Sequence, residues 1–286
     1  MATERTKVTE DAFEAGLFEL SGATEHAKIL IYGDPGSGKT RFSGTAPGNV
    51  LILAGEPGYI SAAQNGGRGK VRLIPDSSTA LAGVSWLESG GADKFDWCIV
   101  DGANTMQTKF MLGYAAEAFD NSNGTKRAHR NLPDKPDYLN AQNFMKGWIA
   151  RLIDLPMNLI VTTHAMRTES DDGDLIVKPA FQGKAGEVSD YIAGQFHAVG
   201  FIRAHTIKRD DGSKRVRRIL WEKTEDPKKD TTYVAKDQYD SFGRYTDDAT
   251  IPDLLALISG SGTRDQVESA SPAKKAATKR AKGRDK

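Results

Sequence analysis

Residues 33–40 carry the clearest chemistry in the sequence. They match the pattern G-x-x-x-x-G-K-[S/T] at every constrained position, and in order they are Gly33, Asp34, Pro35, Gly36, Ser37, Gly38, Lys39 and Thr40. The glycines let backbone N–H groups turn toward a β-phosphate, the lysine reaches the β- and γ-phosphates, and the threonine hydroxyl binds Mg²⁺. We therefore predict a binding site for ATP and Mg²⁺, to which the next residue, Arg41, also contributes.

The elements around this loop fit that prediction. Residues 28–32 form a short apolar run, which is typical of a buried parallel strand. A helix that begins near Lys39 would direct its positive N-terminal end toward the phosphates, and Gly44 and Pro47 would end it early. An ordinary glycine-rich surface turn would not be preceded by such a strand.

Glu56 lies where a second predicted strand ends. The run at residues 49–54 is apolar and is followed by Gly55 and Glu56. In open parallel α/β sheets, ligands bind outside the carboxyl ends of the strands. Glu56 is therefore a candidate general base that orients the water attacking a γ-phosphate. The alternative interpretation is a solvated turn residue before Pro57.

Two more apolar runs end in residues that fit the same site. Residues 95–101 are closed by Asp101, which is the Walker B pattern, so Asp101 would hold Mg²⁺ beside Thr40. Residues 158–164 end at His164, where a polar side chain could sense the γ-phosphate and transmit its loss to the next loop. The candidate catalytic residues are thus Glu56, Lys39 and His164, and the candidate metal ligands are Thr40 and Asp101.

The alternation of strands and helices predicts an α/β fold with a mostly parallel sheet flanked by helices. Asp76 or Ser77 would cap a helix whose core face contains Leu81, Val84 and Leu87. A helix over residues 138–155 would present a core-facing stripe of Leu139, Met145, Ile149, Leu152 and Ile153, together with Trp148.

The C-terminal part predicts antiparallel edge strands on this sheet. Residues 196–203 and 215–222 read as strands on either side of a turn at 211–212, and residues 231–235 as another. A closing helix over residues 251–258 would be capped by Thr250. An earlier hairpin is expected to turn at residues 172–173.

Two segments are predicted to be loops. Residues 117–137 lack an apolar period and contain basic side chains, so this loop could contact nucleic acid through Lys126, Arg127 and Arg130. Residues 167–182 follow the predicted sensor strand. A solvated loop at 117–137 without a ligand is the alternative, because nearby aspartates partly cancel the positive charge.

Composition and charge limit the function classes. The chain has 39 Lys and Arg against 38 Asp and Glu, so no global basic field indicates nucleic acid, yet residues 271–286 contain seven basic side chains and one acid. A single cysteine, Cys98, excludes an intrachain disulfide, and no apolar run is long enough to span a membrane. We expect a cytoplasmic protein with a leader at 1–27, an ATPase domain at 28–259 and a disordered basic tail at 260–286.

The order of these motifs resembles that of the RecA-like core ATPases. In that family the glutamate that closes the strand after the phosphate-loop helix activates water, which matches Glu56. A glutamine sensor ends the strand after Walker B, and the matching position here is His164, which is a departure. The resemblance also implies that the two loops described above grip single-stranded DNA, which makes Arg167 of the second loop a further DNA-binding candidate.

Within that superfamily, the compact size and residues 33–40, 56–58 and 235–237 look most like phage nucleotide-binding proteins of the single-strand annealing recombinase type. That resemblance implies a homo-oligomer with ATP at subunit interfaces and a single-strand binding protein as a further partner. If the protein is phage-encoded, it would act in the cytoplasm of the host cell.

Related hexameric helicases carry a lysine and an arginine that reach the γ-phosphate of a neighbouring subunit. Lys236 matches the lysine, whereas Gln238 replaces the arginine, so we expect slow ATP hydrolysis. Lys184, which follows Gly183, is a further candidate for a contact in trans. Two other functions stay open: an ATP-dependent switch or accessory protein without DNA binding, and a hexameric helicase or loader.

Overall fold

The computed structural model describes most of the chain between His26 and Gly262. The described ranges are 26–64, 66–122, 128–170, 172–183, 186–209, 212–223 and 231–262. Residues 1–25 of the predicted leader, the predicted tail from residue 263, and the candidates Lys126, Arg127 and Lys184 lie outside the described residues. Within the described ranges, no helix has the length and apolar character that crossing a membrane requires.

The strands form one large sheet and one small sheet. The large sheet contains β1 (Lys28–Tyr32), β2 (Val50–Ala54), β3 (Lys70–Leu73), β4 (Trp97–Asp101), β5 (Asn158–Thr163), β8 (Ala198–Arg209), β9 (Gly212–Leu220), β11 (Lys236–Asp237) and β12 (Tyr245–Asp247). The small sheet contains β6 (Ala165–Glu169), β7 (Leu175–Pro179) and β10 (Thr231–Tyr233).

The large sheet has the order β3-β2-β4-β5-β1-β8-β9-β12, and β11 pairs with β8. The six strands from β3 to β8 in this order run parallel to one another. The pairs that β9 makes with β8 and with β12 are antiparallel, as is the pair of β11 with β8. The predicted α/β architecture with antiparallel edge strands near the C-terminus is confirmed.

Helices cover both faces of the large sheet. They are α1 (Lys39–Ser43), α2 (Tyr59–Gln64), α3 (Ser77–Trp86), α4 (Ala103–Asn121), α5 (Lys135–Ile153), α6 (Glu187–Gln195) and α7 (Ile251–Ile258). Buried side chains of α3 to α6 form one core cluster with one face of the sheet, and Phe42 of α1 packs with α7 in a second cluster on the other face. Burying both faces explains why the central strands are apolar at almost every position.

The predicted helix caps are confirmed. The Asp76 side chain accepts a hydrogen bond from the Thr79 backbone N–H at 2.7 Å, so it caps α3. Thr250 caps α7 in a reciprocal arrangement with Asp253. These bonds satisfy backbone donors that have no partner inside the helix.

Two predicted core residues are wrong. Leu81 is 46% exposed and Leu139 is 56% exposed, whereas Ala80 of α3 and Met145 of α5 are buried. Successive residues of an α-helix are rotated by about 100° around the helix axis, so Leu81 lies about 100° away from the buried Ala80. Leu139 precedes Met145 by six residues, which places it about 120° away from the buried side of α5.

The predicted long loop at 117–137 is also wrong at both ends. Helix α4 continues to Asn121, and α5 begins at Lys135 behind a capping box formed by Asp134 and Asp137. The polar residues at the end of α4 belong to the solvent side of a helix whose other side buries Phe110 and Ala115, so their composition does not break it. Helices α2, α4 and α6 were not predicted from the sequence.

Residues 231–233 do not extend the large sheet as predicted. Strand β10 pairs in parallel with β7, and β7 forms the predicted hairpin with β6 in the small sheet. Gly173 adopts φ 86° in the turn of that hairpin, a conformation that favours glycine. The β6–β7 hairpin, which follows β5 in the chain, therefore forms a separate three-stranded sheet together with β10.

Candidate functional site

The glycine-rich loop lies between β1 and α1, against neighbouring strands on one side. The Gly33 N–H donates to the Thr163 carbonyl of β5 at 3.2 Å, and a Cβ on Gly33 would lie 2.2 Å from the Ile202 carbonyl of β8. Gly36 and Gly38 have φ of 73° and 101°, which favours glycine at both positions. Glycines with positive φ are typical of loops whose backbone N–H groups bind an anion.

Two polar side chains of the loop are buried. Lys39 is 8% exposed, and its ammonium donates to the Gly33 carbonyl at 2.8 Å and the Asp34 carbonyl at 3.1 Å. Burial lowers the pKa of Lys39, and the charges of Glu56 and Asp101 oppose that shift. The Ser37 hydroxyl is buried with no hydrogen-bond partner among the described residues. A phosphate would supply acceptors to both side chains.

Thr40 and Asp101 meet at the ends of α1 and β4. The Thr40 hydroxyl lies 3.1 Å from both carboxylate oxygens of Asp101, and Thr162 donates to Asp101 at 2.7 Å. Burial raises the pKa of Asp101, and the hydrogen bonds from Thr162 and Thr40 oppose the shift. A Cβ on Gly58 would lie 2.8 Å from Asp101 Oδ2 and 3.1 Å from Thr40 Oγ1. Because residue 58 is glycine, no side chain enters the space beside these two oxygen atoms.

The oxygen atoms of Thr40 and Asp101 beside Gly58 are suitable ligands for Mg²⁺. Hydroxyl and carboxylate oxygens are hard ligands, and Mg²⁺ is usually held by one or two side chains together with water and substrate phosphates. Thr40 and Asp101 would hold the ion in this chain. When bound, it would neutralise charge on the phosphate oxygens.

Glu56 and His164 face each other across the same edge of the sheet. His164 Nε2 lies 4.0 Å from Glu56 Oε1, and both side chains are about one-third exposed. Thr105 donates to the other carboxylate oxygen of Glu56 at 3.2 Å. The Asn104 side chain accepts from the His164 backbone N–H at 3.1 Å. The start of α4 therefore positions both the candidate base and the candidate sensor.

One cavity of about 940 Å³ lies between the glycine-rich loop and the side chains of Glu56 and His164. The residues that line it include the loop from Pro35 to Arg41, Glu56, Gly58 and His164, so the predicted nucleotide and catalytic residues are brought together. The opposite wall comes from β9 and the segment before α7. It contains Lys214, Arg215, Arg217 and Asp248, which the sequence analysis missed.

A family model for an AAA domain matches residues 25–239. The chain belongs to this AAA-domain family. The match covers most of the chain and places it among the P-loop ATPases, in agreement with the fold and the site described above. No curated protein matches the chain.

In this AAA domain, Arg217 covers the glycine-rich loop at residues 33–40, called the nucleotide loop below. A Cβ on Gly38 would lie 2.6 Å from Arg217 Cδ, so the arginine lies directly over the loop. Asp248 accepts from the Arg217 backbone N–H at 3.0 Å and lies 3.5 Å from its Nε. Burial lowers the pKa of Arg217, and the nearby charge of Arg41 lowers it further. The basic residues at 214–218 mark a charged segment in the sequence. Their contact with the nucleotide loop, however, depends on the pairing of β8 with β9.

Arg167, a predicted DNA contact, lies against the nucleotide loop of the AAA domain. Its guanidinium forms two hydrogen bonds with the Asp34 carboxylate, at 3.0 and 2.8 Å. The hydrogen bond from Arg167 is the main cause of a lowered pKa at Asp34. Strand β6 is thereby joined to the loop that would hold the phosphates.

The structure does not bring the remaining candidates to this cavity. Arg130 is exposed and forms an ion pair with Asp120 at 2.8 Å, in the connection between α4 and α5. Lys236 donates to the Gly194 carbonyl of its own chain at 3.1 Å. Roles for these residues in contacting DNA or another subunit remain predictions.

Proposed function

We propose that this AAA-domain protein binds and hydrolyses ATP with Mg²⁺ and couples hydrolysis to single-stranded DNA. The proposed setting is phage recombination, in which a RecA-like protein of the annealing type pairs or exchanges strands. It would act as a homo-oligomer with ATP at subunit interfaces and meet a single-strand binding protein on its substrate. The observation that carries the hydrolysis is the cavity lined by Lys39, Thr40 and Glu56, with Asp101 lying 3.1 Å from the Thr40 hydroxyl.

The residues divide the reaction between them. Lys39 and the backbone N–H groups of its loop hold the β- and γ-phosphates, and Thr40 and Asp101 hold the metal. Glu56 accepts a proton from the water that attacks the γ-phosphorus, and the bond to the β-phosphate oxygen breaks. Thr105 orients Glu56 for this step through the hydrogen bond at 3.2 Å.

Two contacts support the link between ATP hydrolysis and the binding of single-stranded DNA. His164 lies 4.0 Å from Glu56 and directly precedes the β6–β7 hairpin. Arg167 of that hairpin forms the ion pair with Asp34 of the nucleotide loop. A change at the γ-phosphate would therefore reach the hairpin from two sides, and the hairpin occupies the place of a DNA-gripping loop in the RecA-like resemblance.

A gel-shift experiment with labelled single-stranded DNA tests the proposal. We expect binding by the full chain that is stronger with ATP and Mg²⁺ and that weakens steeply with salt, because phosphate contacts release counterions. Lys39→Ala should abolish both ATP turnover and the effect of ATP on DNA binding. ATP turnover without any DNA binding would contradict the strand part of the proposal and favour an ATP-dependent switch.

A further inference from the structure

A second, smaller cavity lies beside the nucleotide loop. Its volume is about 360 Å³, and it is lined on one side by residues 34–37 of the loop. On the other sides it is lined by Arg167, Phe201, Arg203, Arg215 and Tyr233. Three guanidinium groups thus border one small cavity.

The charge of this cavity is positive. Arg167 is neutralised by its two hydrogen bonds to Asp34. Arg203 and Arg215 form no ion pair within the part of the chain that the structure describes, and the Nε atom of Arg203 is buried there without a hydrogen-bond partner. A buried donor without a partner costs free energy, so an anionic ligand here would relieve that cost.

An aromatic ring borders the same cavity. Tyr233 is half-buried and stacks on Phe201, with ring centroids 4.8 Å apart and an interplanar angle of 28°. Guanidinium groups beside an aromatic face are the combination with which proteins hold single-stranded nucleic acid, because the charges contact the backbone and the ring stacks on a base.

We propose that this cavity binds a phosphodiester group of a single nucleic acid strand through Arg203 and Arg215, with Tyr233 placed against a neighbouring base. This inference rests on the proposed function and gives it a binding site outside the connection at 122–134. Pro35, Gly36, Ser37 and Arg215 line both this cavity and the nucleotide cavity. A strand bound here would therefore contact the outer side of the loop that holds the triphosphate.

Fluorescence anisotropy with a labelled oligothymidylate tests the site on the full chain. Titrations at several salt concentrations, with a non-hydrolysable ATP analogue and Mg²⁺, give the slope of log Kd against log salt. For a single strand, one lost phosphate contact lowers that slope by about 0.7. We expect this decrease, with weaker binding, for Arg203→Ala and little change in slope for Arg203→Lys, which keeps the charge.

Two further variants complete the test. Tyr233→Leu should weaken binding on the order of 10-fold without changing the salt slope, because stacking releases no counterions. Arg72→Ala is the matched control, since Arg72 is an exposed arginine on β3 at the far edge of the sheet. Nucleotide binding by each variant shows that it has folded.

The outcomes separate this inference from the function on which it rests. Wild-type binding to DNA with an unchanged slope and affinity in Arg203→Ala would overturn the site alone. Calorimetric binding of inorganic phosphate that depends on Arg203, with unchanged DNA affinity, would also overturn it, because the cavity would then be a free-phosphate site. No DNA binding by the wild type would overturn the site together with the strand part of the proposed function.

Discussion

Replacing Gly58 by alanine adds one methyl group to the space between Thr40 and Asp101. The new Cβ would lie 2.8 Å from Asp101 Oδ2, whereas a carbon atom normally stays about 3.3 Å or more from an oxygen. The carboxylate would therefore have to move by about 0.5 Å, the tolerance within which a functional group must be held. It is held in place by Thr162 at 2.7 Å, so the shift would strain that bond as well.

We expect Gly58→Ala to weaken the contribution of Mg²⁺ to nucleotide binding by about 10- to 100-fold. Losing an interaction that orients a metal ligand has an effect of this size, which corresponds to about 1.4–2.8 kcal/mol. Binding of the nucleotide in EDTA should change little, because Lys39 and the loop backbone are not disturbed. The φ of Gly58 is not positive, so alanine should add no backbone strain to the contact with Asp101.

A fluorescent ATP analogue titrated with and without Mg²⁺ gives both affinities. Gly83→Ala is the matched control, because a Cβ on Gly83 would have no heavy atom within 4 Å, and alanine favours its helix by about 1 kcal/mol. If Gly58→Ala showed the same dependence on Mg²⁺ as the wild type and Gly83→Ala, the metal site would not lie between Thr40 and Asp101.

Two further predictions concern Arg217 and Lys28. Arg217→Ala should weaken nucleotide binding roughly 10-fold both with and without Mg²⁺, because a charge-assisted contact beside the loop is lost. The same titration measures this affinity. An affinity equal to that of the control Arg72→Ala would contradict the prediction. Burial lowers the pKa of Lys28 from 10.5 to about 8. Between these two pH values the unfolded chain therefore binds more protons than the folded chain. The free energy of unfolding should rise with pH across that interval by up to about 3 kcal/mol. Burial raises the pKa of Cys98 to about 12, which has the opposite effect above pH 9, so urea unfolding should be followed in a Cys98→Ala background. Adding Lys28→Met should flatten the curve, and an equal slope with and without Lys28 would refute the assignment.

The sequence predicted the part of the site that lies at strand ends. Asp101 ends a buried parallel strand, and Glu56 and His164 come just after two others. Parallel strands end at the same edge of a sheet, so the proximity of these residues follows from the pattern alone. Strand β1 and helices α1 and α7 have the predicted bounds because apolar runs, glycines and caps mark them locally.

The other wall of the site depends on tertiary structure that no local pattern encodes. Arg217 is opposite Ala204 in the antiparallel register of β8 and β9, and a shift by one residue would turn it to the other face of the sheet. Asp248 meets it from a turn with φ 51°, after a further strand. The pair of Asp34 and Arg167 joins residues 133 positions apart, and the charge of either residue alone fits a solvated surface equally well.

ATP turnover and nucleotide binding by Glu56→Gln test the central claim most directly. The substitution keeps the shape of the side chain and removes its ability to accept a proton, which contributes about 10²–10⁴-fold to rates of this kind. We predict turnover lowered by at least about 100-fold with nucleotide affinity within about twofold of the wild type, while Glu117→Gln, at an exposed position on α4, keeps both. Turnover by Glu56→Gln at the wild-type rate would contradict the account, because Glu56 would not be the base.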